Sequence, residues 1–226
     1  MKYSAIQLIL ILFLSQIAVA QDCSTFYPFE EGSVSEITSY DKKQRVAAIL
    51  EYSVVESSGD KASLQAIIKD KKGKLLTKTQ YNLICNNDGI EIDFKSMYNP
   101  QMMMQFENME TKVTGTNIVL PNNLSVGDEL PDANMKINIS MSGINMNTAV
   151  TMSQRRVIGK EEVTTSAGTF DCYVITYTNN VEASMGISME TTSKQWIAKG
   201  VGMVKQEDYN KKGKVSSSSM LTAFKK

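Results

Sequence analysis

No histidine occurs among the 226 residues. A Ser-His-Asp or Cys-His nucleophilic centre is therefore excluded, as is any metal site that depends on imidazole. Carboxylates or a lysine could still move protons. Yet the Asp and Glu residues are scattered without a recognisable pair, so no catalytic residue, metal ligand or cofactor site can be named, and the chain reads as a non-enzyme.

The side chains that recur in pattern are thioethers. Met135, Ile137, Ile139, Met141, Ile144, Met146, Met152, Met185 and Met189 fall on the apolar rows of successive segments in the second half of the chain. Methionine is unbranched and polarizable, so a face built from it adapts to ligands of variable shape. Two readings stand together. One is ordinary core packing, because a half-buried strand hides one face in any case. The other is a concave groove for an apolar or lipid-like ligand. Thioethers also bind Cu(I), but no histidine or compact Met-x-Met cluster accompanies them here.

The elements that must position these residues show period two. Val46, Ala48, Leu50, Tyr52 and Val54 alternate, as do Ala62, Leu64, Ala66 and Ile68, then Tyr81, Leu83 and Cys85, then Ile90, Ile92 and Phe94. Such alternation over short runs predicts half-buried strands. The joining pieces, Ser57 to Asp60, Asp70 to Gly73 and Asn86 to Gly89, are turn-like and short, which forces antiparallel neighbours. The second half resumes the pattern, with hairpins expected about Ser142-Gly143 and Ala167-Gly168. "WIAKGVGMVKQEDY" (196–209) reads as one strand whose two glycines mark a bend or bulge.

One segment departs from this. Asn99 suits an N-cap and Pro100 a first helical position, and Met102, Phe106 and Met109 then form one stripe; a short helix near residues 100–109 is predicted. It could lie as a lid over the apolar face. A Pro/Gly/Asn-rich stretch at 120–132 is either a division between two half-sheets or a long crossover. The fold expected is all-β: a curled antiparallel meander forming a barrel or half-barrel.

"YDKKQR" (40–45), "KDKKGK" (69–74) and "YNKKGK" (209–214) repeat one basic hexapeptide. If the last strand pairs with the first, all three loops share one rim. Turn chemistry alone accounts for the repetition, with glycine taking positive φ and the lysines solvated.

The first twenty residues, a lysine followed by an apolar run ending Ala18-Val19-Ala20, have the pattern of a secretory signal peptide cleaved before Gln21. The apolar stretch is too short to span a bilayer, and 21–226 reads as a single exported domain without a transmembrane span. With Lys2 gone, the 24 acidic residues outnumber the remaining basic ones by one, so nothing steers the chain globally to nucleic acid. An integral outer-membrane barrel is disfavoured because Lys, Gln, Asn and Thr recur on the polar faces. Three cysteines in an exported chain leave at least one without an intramolecular partner. Cys23–Cys85 is the first choice of disulfide, Cys85–Cys172 remains open, and Cys172 on an apolar row reads as a buried thiol.

"DCSTFYPFEEGS" (22–33), "TTSAGTFDCYVI" (164–175) and "WIAKGVGMVKQEDY" (196–209) resemble a family of exported bacterial β proteins known as TapB-like or by domain-of-unknown-function names. The resemblance covers essentially the whole mature chain. It implies an antiparallel β fold in the Gram-negative envelope, periplasmic or associated with the outer membrane. The family has no established activity, so it supplies no functional residues. Two functions follow as expectations: non-catalytic binding of an apolar or lipid-like ligand, or a structural or protein-interaction module with an envelope protein partner.

Overall fold

The computed structural model of the protein describes residues 24–86, 88–93, 110–141 and 144–226, the side chains of 110, 111, 141, 144 and 185 excepted. Its strands are β1 (Val34–Asp41), β2 (Val46–Ser58), β3 (Lys61–Asp70), β4 (Leu75–Asn86), β5 (Gly89–Ile92), β6 (Glu110–Gly115), β7 (Ile118–Pro121), β8 (Ala133–Met141), β9 (Ile144–Thr165), β10 (Gly168–Ala183), β11 (Ile187–Ala198), β12 (Gly202–Tyr209) and β13 (Val215–Lys225). They form one sheet of thirteen strands, ordered β6-β8-β9-β10-β11-β12-β13-β1-β2-β3-β4-β5-β7, with every neighbouring pair antiparallel. Among the described residues one 3-10 turn, Ser184–Gly186, interrupts it. The expected signal peptide, the predicted helix at 100–109 and the expected Ser142-Gly143 turn lie outside the described residues.

Alternation holds where the chain is regular. Leu64, Tyr81, Leu83 and Ile90 are buried while Gln80 and Asn82 are exposed. The interior cluster joins Leu64, Leu83 and Leu120 from one end of the strand order to Val157, Ile175 and Ile197 from the other. Strands so distant in the order share a core only if the sheet curls. The ladder is nevertheless open: β6 and β7 are its two edges, although only Thr116 and Asn117 separate them in the chain. A curled half-barrel, not a closed barrel, is the outcome.

The last strand does pair with the first, Val34 opposite Lys225. The β12–β13, β1–β2 and β3–β4 hairpins therefore stand side by side at one end. Their turns are the same structure three times. Asp41 Oδ1 accepts from the amides of Lys43 and Arg45 at 2.8 and 3.1 Å. Asp70 Oδ1 accepts from Lys72 and Lys74 at 2.8 and 2.9 Å. Asn210 Oδ1 accepts from Lys212 and Lys214 at 2.9 and 3.2 Å. The fourth turn residue takes positive φ each time: Gln44 at 58°, Gly73 at 81° and Gly213 at 69°. An Asx side chain mimicking a backbone acceptor explains why the hexapeptide recurs.

Two irregularities shape the rest. In β9, Ile158 is an extra residue between the pairs Gly159–Val174 and Val157–Ile175. The long β9–β10 hairpin bends there and crosses the outside of the sheet, where Ser166 Oγ donates to the Thr222 carbonyl at 2.9 Å. Beneath it lies a second cluster of Val163, Cys172, Val174, Trp196, Ala198 and Val204. Trp196 Nε1 donates to Glu161 Oε2 at 2.7 Å, and Lys205 Nζ sits 4.4 Å from the indole centroid.

The second irregularity corrects the expectation for 196–209. This segment is not one bent strand but the β11–β12 hairpin, turning at Lys199 to Val201 with Gly200 at φ 71° and Gly202 at φ 86°. The N-terminal segment explains the glycines. Gly200 N donates to Thr25 O at 2.9 Å, and a Cβ on Gly202 would stand 2.8 Å from the ring of Tyr27. Only a residue without a side chain lets Tyr27 pack here. Thr25 N also donates to Asn122 Oδ1 at 2.8 Å, and the Phe26 ring meets that of Tyr173 edge-on at 5.7 Å between centroids. Residues 24–32 thus plug the end of the half-barrel opposite the three basic turns.

Candidate functional site

Above this plug the curled sheet encloses a cavity of about 400 Å³. That is within the usual range for small-molecule sites. Its apolar lining comes from strands all around the sheet: Ile37, Val54, Leu64, Leu120, Met152, Ile175 and Ile197. Four tyrosines converge on it, Tyr27, Tyr52, Tyr81 and Tyr177, together with Ser33, Asn179, Gln195, Gln206 and Arg155.

The phenols stay protonated near neutrality. Burial, then Tyr52, pushes Tyr27 up to about 12 despite Arg155 nearby. Burial raises Tyr52, and it raises Tyr81 further, with Tyr52 and Tyr27 adding to the effect. Tyr177 is raised by burial and by Asp208, and its hydroxyl donates to Gln206 Oε1 at 3.2 Å. Gln206 belongs to a closed polar network on this wall. Ser193 Oγ and Gln206 Nε2 donate to Asp208 Oδ1 at 2.6 and 3.1 Å, and Ser217 Oγ donates to Oδ2 at 2.8 Å.

Arg155 stands outside that network. It is only 5% exposed. A bulge aims it inward: Gln154 and Arg155 together oppose the single residue Tyr177, and Gln154 takes φ 54°. Bulges of this kind re-aim side chains. Met152 lines the cavity, and after the extra residue so does Arg155 instead of Gln154. Asp132 Oδ1 holds the bulge by accepting from Gln154 N at 3.1 Å.

The guanidinium also closes the seam of the sheet. Its Nη1 donates to the carbonyls of Val119 in edge strand β7, at 3.0 Å, and Pro131, at 2.6 Å. The loop from β7 to β8 runs along β9 beside it, with Leu130 N donating to Arg155 O and Val157 N to Asp128 O. The 120–132 stretch is thus a crossover that covers the free edge of β9. Arg155 Nε, by contrast, is buried with no hydrogen-bond partner among the described residues, and the same holds for Ser33 Oγ. Burial lowers the Arg155 pKa, opposed by Tyr177, Tyr27 and Asp132 in that order. Asp132 is exposed, and no carboxylate lines the cavity among the described residues.

The register places the methionine rows relative to this site. Met135, Val150, Val181 and Met189 stand opposite one another across β8 to β11, and Ile139 faces Met146 two rows further along. Facing residues share a sheet face, and Val150 and Met152 of this face line the cavity. Met135, Ile137 and Ile139 are buried in a cluster of their own with Ala133. Farther out the face opens to solvent, with Met146 36% and Met189 55% exposed. Met141 and Ile144 pair through their backbones, and Met185 lies in the 3-10 turn. Of the predicted residues whose side chains are described, Met152 alone lines the cavity. Alternation could not have found Arg155, because the bulge that turns it inward reverses the parity of β9. Cys172 is a buried free thiol. Cys85 is disulfide-bonded, while its expected partner Cys23 lies outside the described residues.

A profile for the DUF3108-like family matches residues 30–221. The chain belongs to the DUF3108-like family. The TapB-like name finds no support in this match. No curated protein matches. Among solved structures, this DUF3108-like chain is similar to a protein of Bacteroides fragilis NCTC 9343 with a YmcC-like fold, assigned as exported. The two share 22% identity over 90% of this chain and 100% of the other, with a TM-score of 0.72. It is likewise similar to a protein of Parabacteroides distasonis ATCC 8503 assigned as a lipoprotein, at 23% identity over 91% and 100% of the two chains, with a TM-score of 0.73. At these identities the likeness shows that the DUF3108-like chain shares their fold.

Proposed function

We propose that the protein is an exported, non-catalytic binding protein of the Gram-negative envelope that holds an apolar or amphipathic, lipid-like molecule inside the curled sheet. The observation that carries this reading is the cavity of about 400 Å³, apolar over most of its wall, to which Val150 and Met152 of the Met/Ile face contribute. At about 30 Å³ per molecule it has room for roughly a dozen waters, or a chain of similar bulk. No carboxylate or thiol lines it among the described residues; its phenols, amides, Ser33 and Arg155 can bind and orient a ligand. The fold shared with proteins assigned as exported or as a lipoprotein supports the envelope location.

Native mass spectrometry of the protein purified from its own envelope tests the reading. A retained small molecule is expected, and it should be lost when Met152→Trp fills the cavity in a variant that keeps its β circular dichroism. A ligand-free chain that co-purifies with another envelope protein would instead make it an interaction module.

A further inference from the structure

Among the described residues the cavity has one charged group and leaves it half used. Arg155 is buried, lines the cavity, and spends Nη1 on the Val119 and Pro131 carbonyls. Those two acceptors are neutral. The edge of the guanidinium formed by Nε and Nη2 carries no hydrogen bond among the described residues, and Nε is wholly removed from solvent. Buried cations are ordinarily paired with an anion and their donors satisfied. The polar network around Asp208 does not serve, because its hydrogen bonds run to Ser193, Gln206 and Ser217.

We infer that the cavity's ligand is an anionic amphiphile whose oxyanion head, a carboxylate or phosphate, sits side-on against Nε and Nη2 of Arg155 while its apolar tail lies among Val54, Leu64 and Ile175. This rests on the ligand-binding reading above and names the chemical class of the ligand. The Nε/Nη2 edge of an arginine matches two oxygens of such a head. Tyr27, an electrostatic neighbour of Arg155, is a neutral phenol that can donate to the same anion. A seam staple alone would need only the two carbonyl bonds. It would not require a cation facing an apolar space.

The test is calorimetric titration of the delipidated mature protein at pH 7.5 with dodecanoate, dodecyl phosphate and dodecanol. One or both anions should bind at least tenfold more tightly than the alcohol, and which anion leads distinguishes a carboxylate from a phosphate head. Arg155→Met should bring the anions down to the alcohol's affinity, while Arg155→Lys, which keeps the charge but not the fork, should retain part of the preference. The wild-type comparison stands even if Arg155→Met fails to fold. Equal binding of all three probes, or an anion preference that survives in folded Arg155→Met, overturns the head-group assignment and leaves the cavity reading intact. Failure of all three to bind overturns both.

Discussion

Gly202→Ala tests how the N-terminal plug shapes the cavity. The new Cβ would lie 2.8 and 2.9 Å from Cδ1 and Cε1 of Tyr27, and the residue would keep φ +86°. Two costs add. The left-handed backbone costs about 1–2 kcal/mol for a residue with a Cβ. Forcing the Tyr27 ring out of its seat is an overpacking cost of about 1–3 kcal/mol. Gly200→Ala supplies the control, since Gly200 has φ +71° but a Cβ there would meet nothing within 4 Å. It should show the backbone cost alone. Both variants gain the same small entropic benefit from a stiffer unfolded chain, so their difference isolates the ring contact. Urea unfolding should therefore place Gly202→Ala about 1–3 kcal/mol below Gly200→Ala at unchanged m. Adding Tyr27→Ala to Gly202→Ala should recover most of that difference, as expected for residues in contact. Equal stability of the two glycine variants would refute the account of the Gly-Val-Gly motif.

The acid limb of stability should depend on the Asx turns. Hydrogen bonds from Arg45 lower the Asp41 pKa to about 2, and backbone bonds from Lys74 and Lys72 lower that of Asp70. Their contribution is present above the ordinary carboxylate value of about 3.9 and fades as pH falls toward the folded value. Asp41→Asn with Asp70→Asn, copying the turn at Asn210, should flatten the change in urea midpoint between pH 5 and 2; an unchanged profile counts against the turns. Burial, with Asp171 and Glu161, raises the Cys172 thiol to about 11, so iodoacetamide at pH 8 should leave it unmodified until denaturant is added, as read by intact mass. Non-reducing peptide mapping should recover Cys85 joined to Cys23, and recovery of a Cys85–Cys172 peptide would contradict that pairing.

Regular strands are legible in the sequence because burial of one face imposes period two on residues such as Ala62, Leu64 and Ala66. The Lys-Lys turns are legible because Asx and glycine report backbone geometry directly. What alternation cannot convey is where it breaks. Gln154 carries no mark of its left-handed φ of 54°, since glycine is the usual sign of such a position. Without the bulge, Gln154 would face the cavity and Arg155 would point away. Gly200 and Gly202 do signal an irregularity, but a tight turn and a bulge look alike when the partner is an N-terminal segment far away in sequence. The methionine rows are legible as one face, yet how far each row lies from the plug depends on the curl of the sheet, which no local pattern encodes.

The same side chain that closes the seam also faces the cavity, and this couples occupancy to the seam. An oxyanion on the Nε edge of Arg155 would hold in place the guanidinium that binds Val119 and Pro131. Any ligand stabilises the whole fold by mass action, about 2.7 kcal/mol at a hundredfold excess over its dissociation constant. An alcohol and an anion at equal saturation therefore raise global stability equally. They should differ locally. The amides of Gly127, Leu130 and Val157, which bond Val157 O, Arg155 O and Asp128 O respectively, lie along the seam beside the guanidinium. Sub-global opening of such a segment has its own free energy. Hydrogen exchange of these three amides should slow more with dodecanoate or dodecyl phosphate than with dodecanol at matched occupancy, while core amides of β3 and β4 respond alike to all three. Identical protection along the seam would mean that the head group does not reach Arg155, whatever the affinities show.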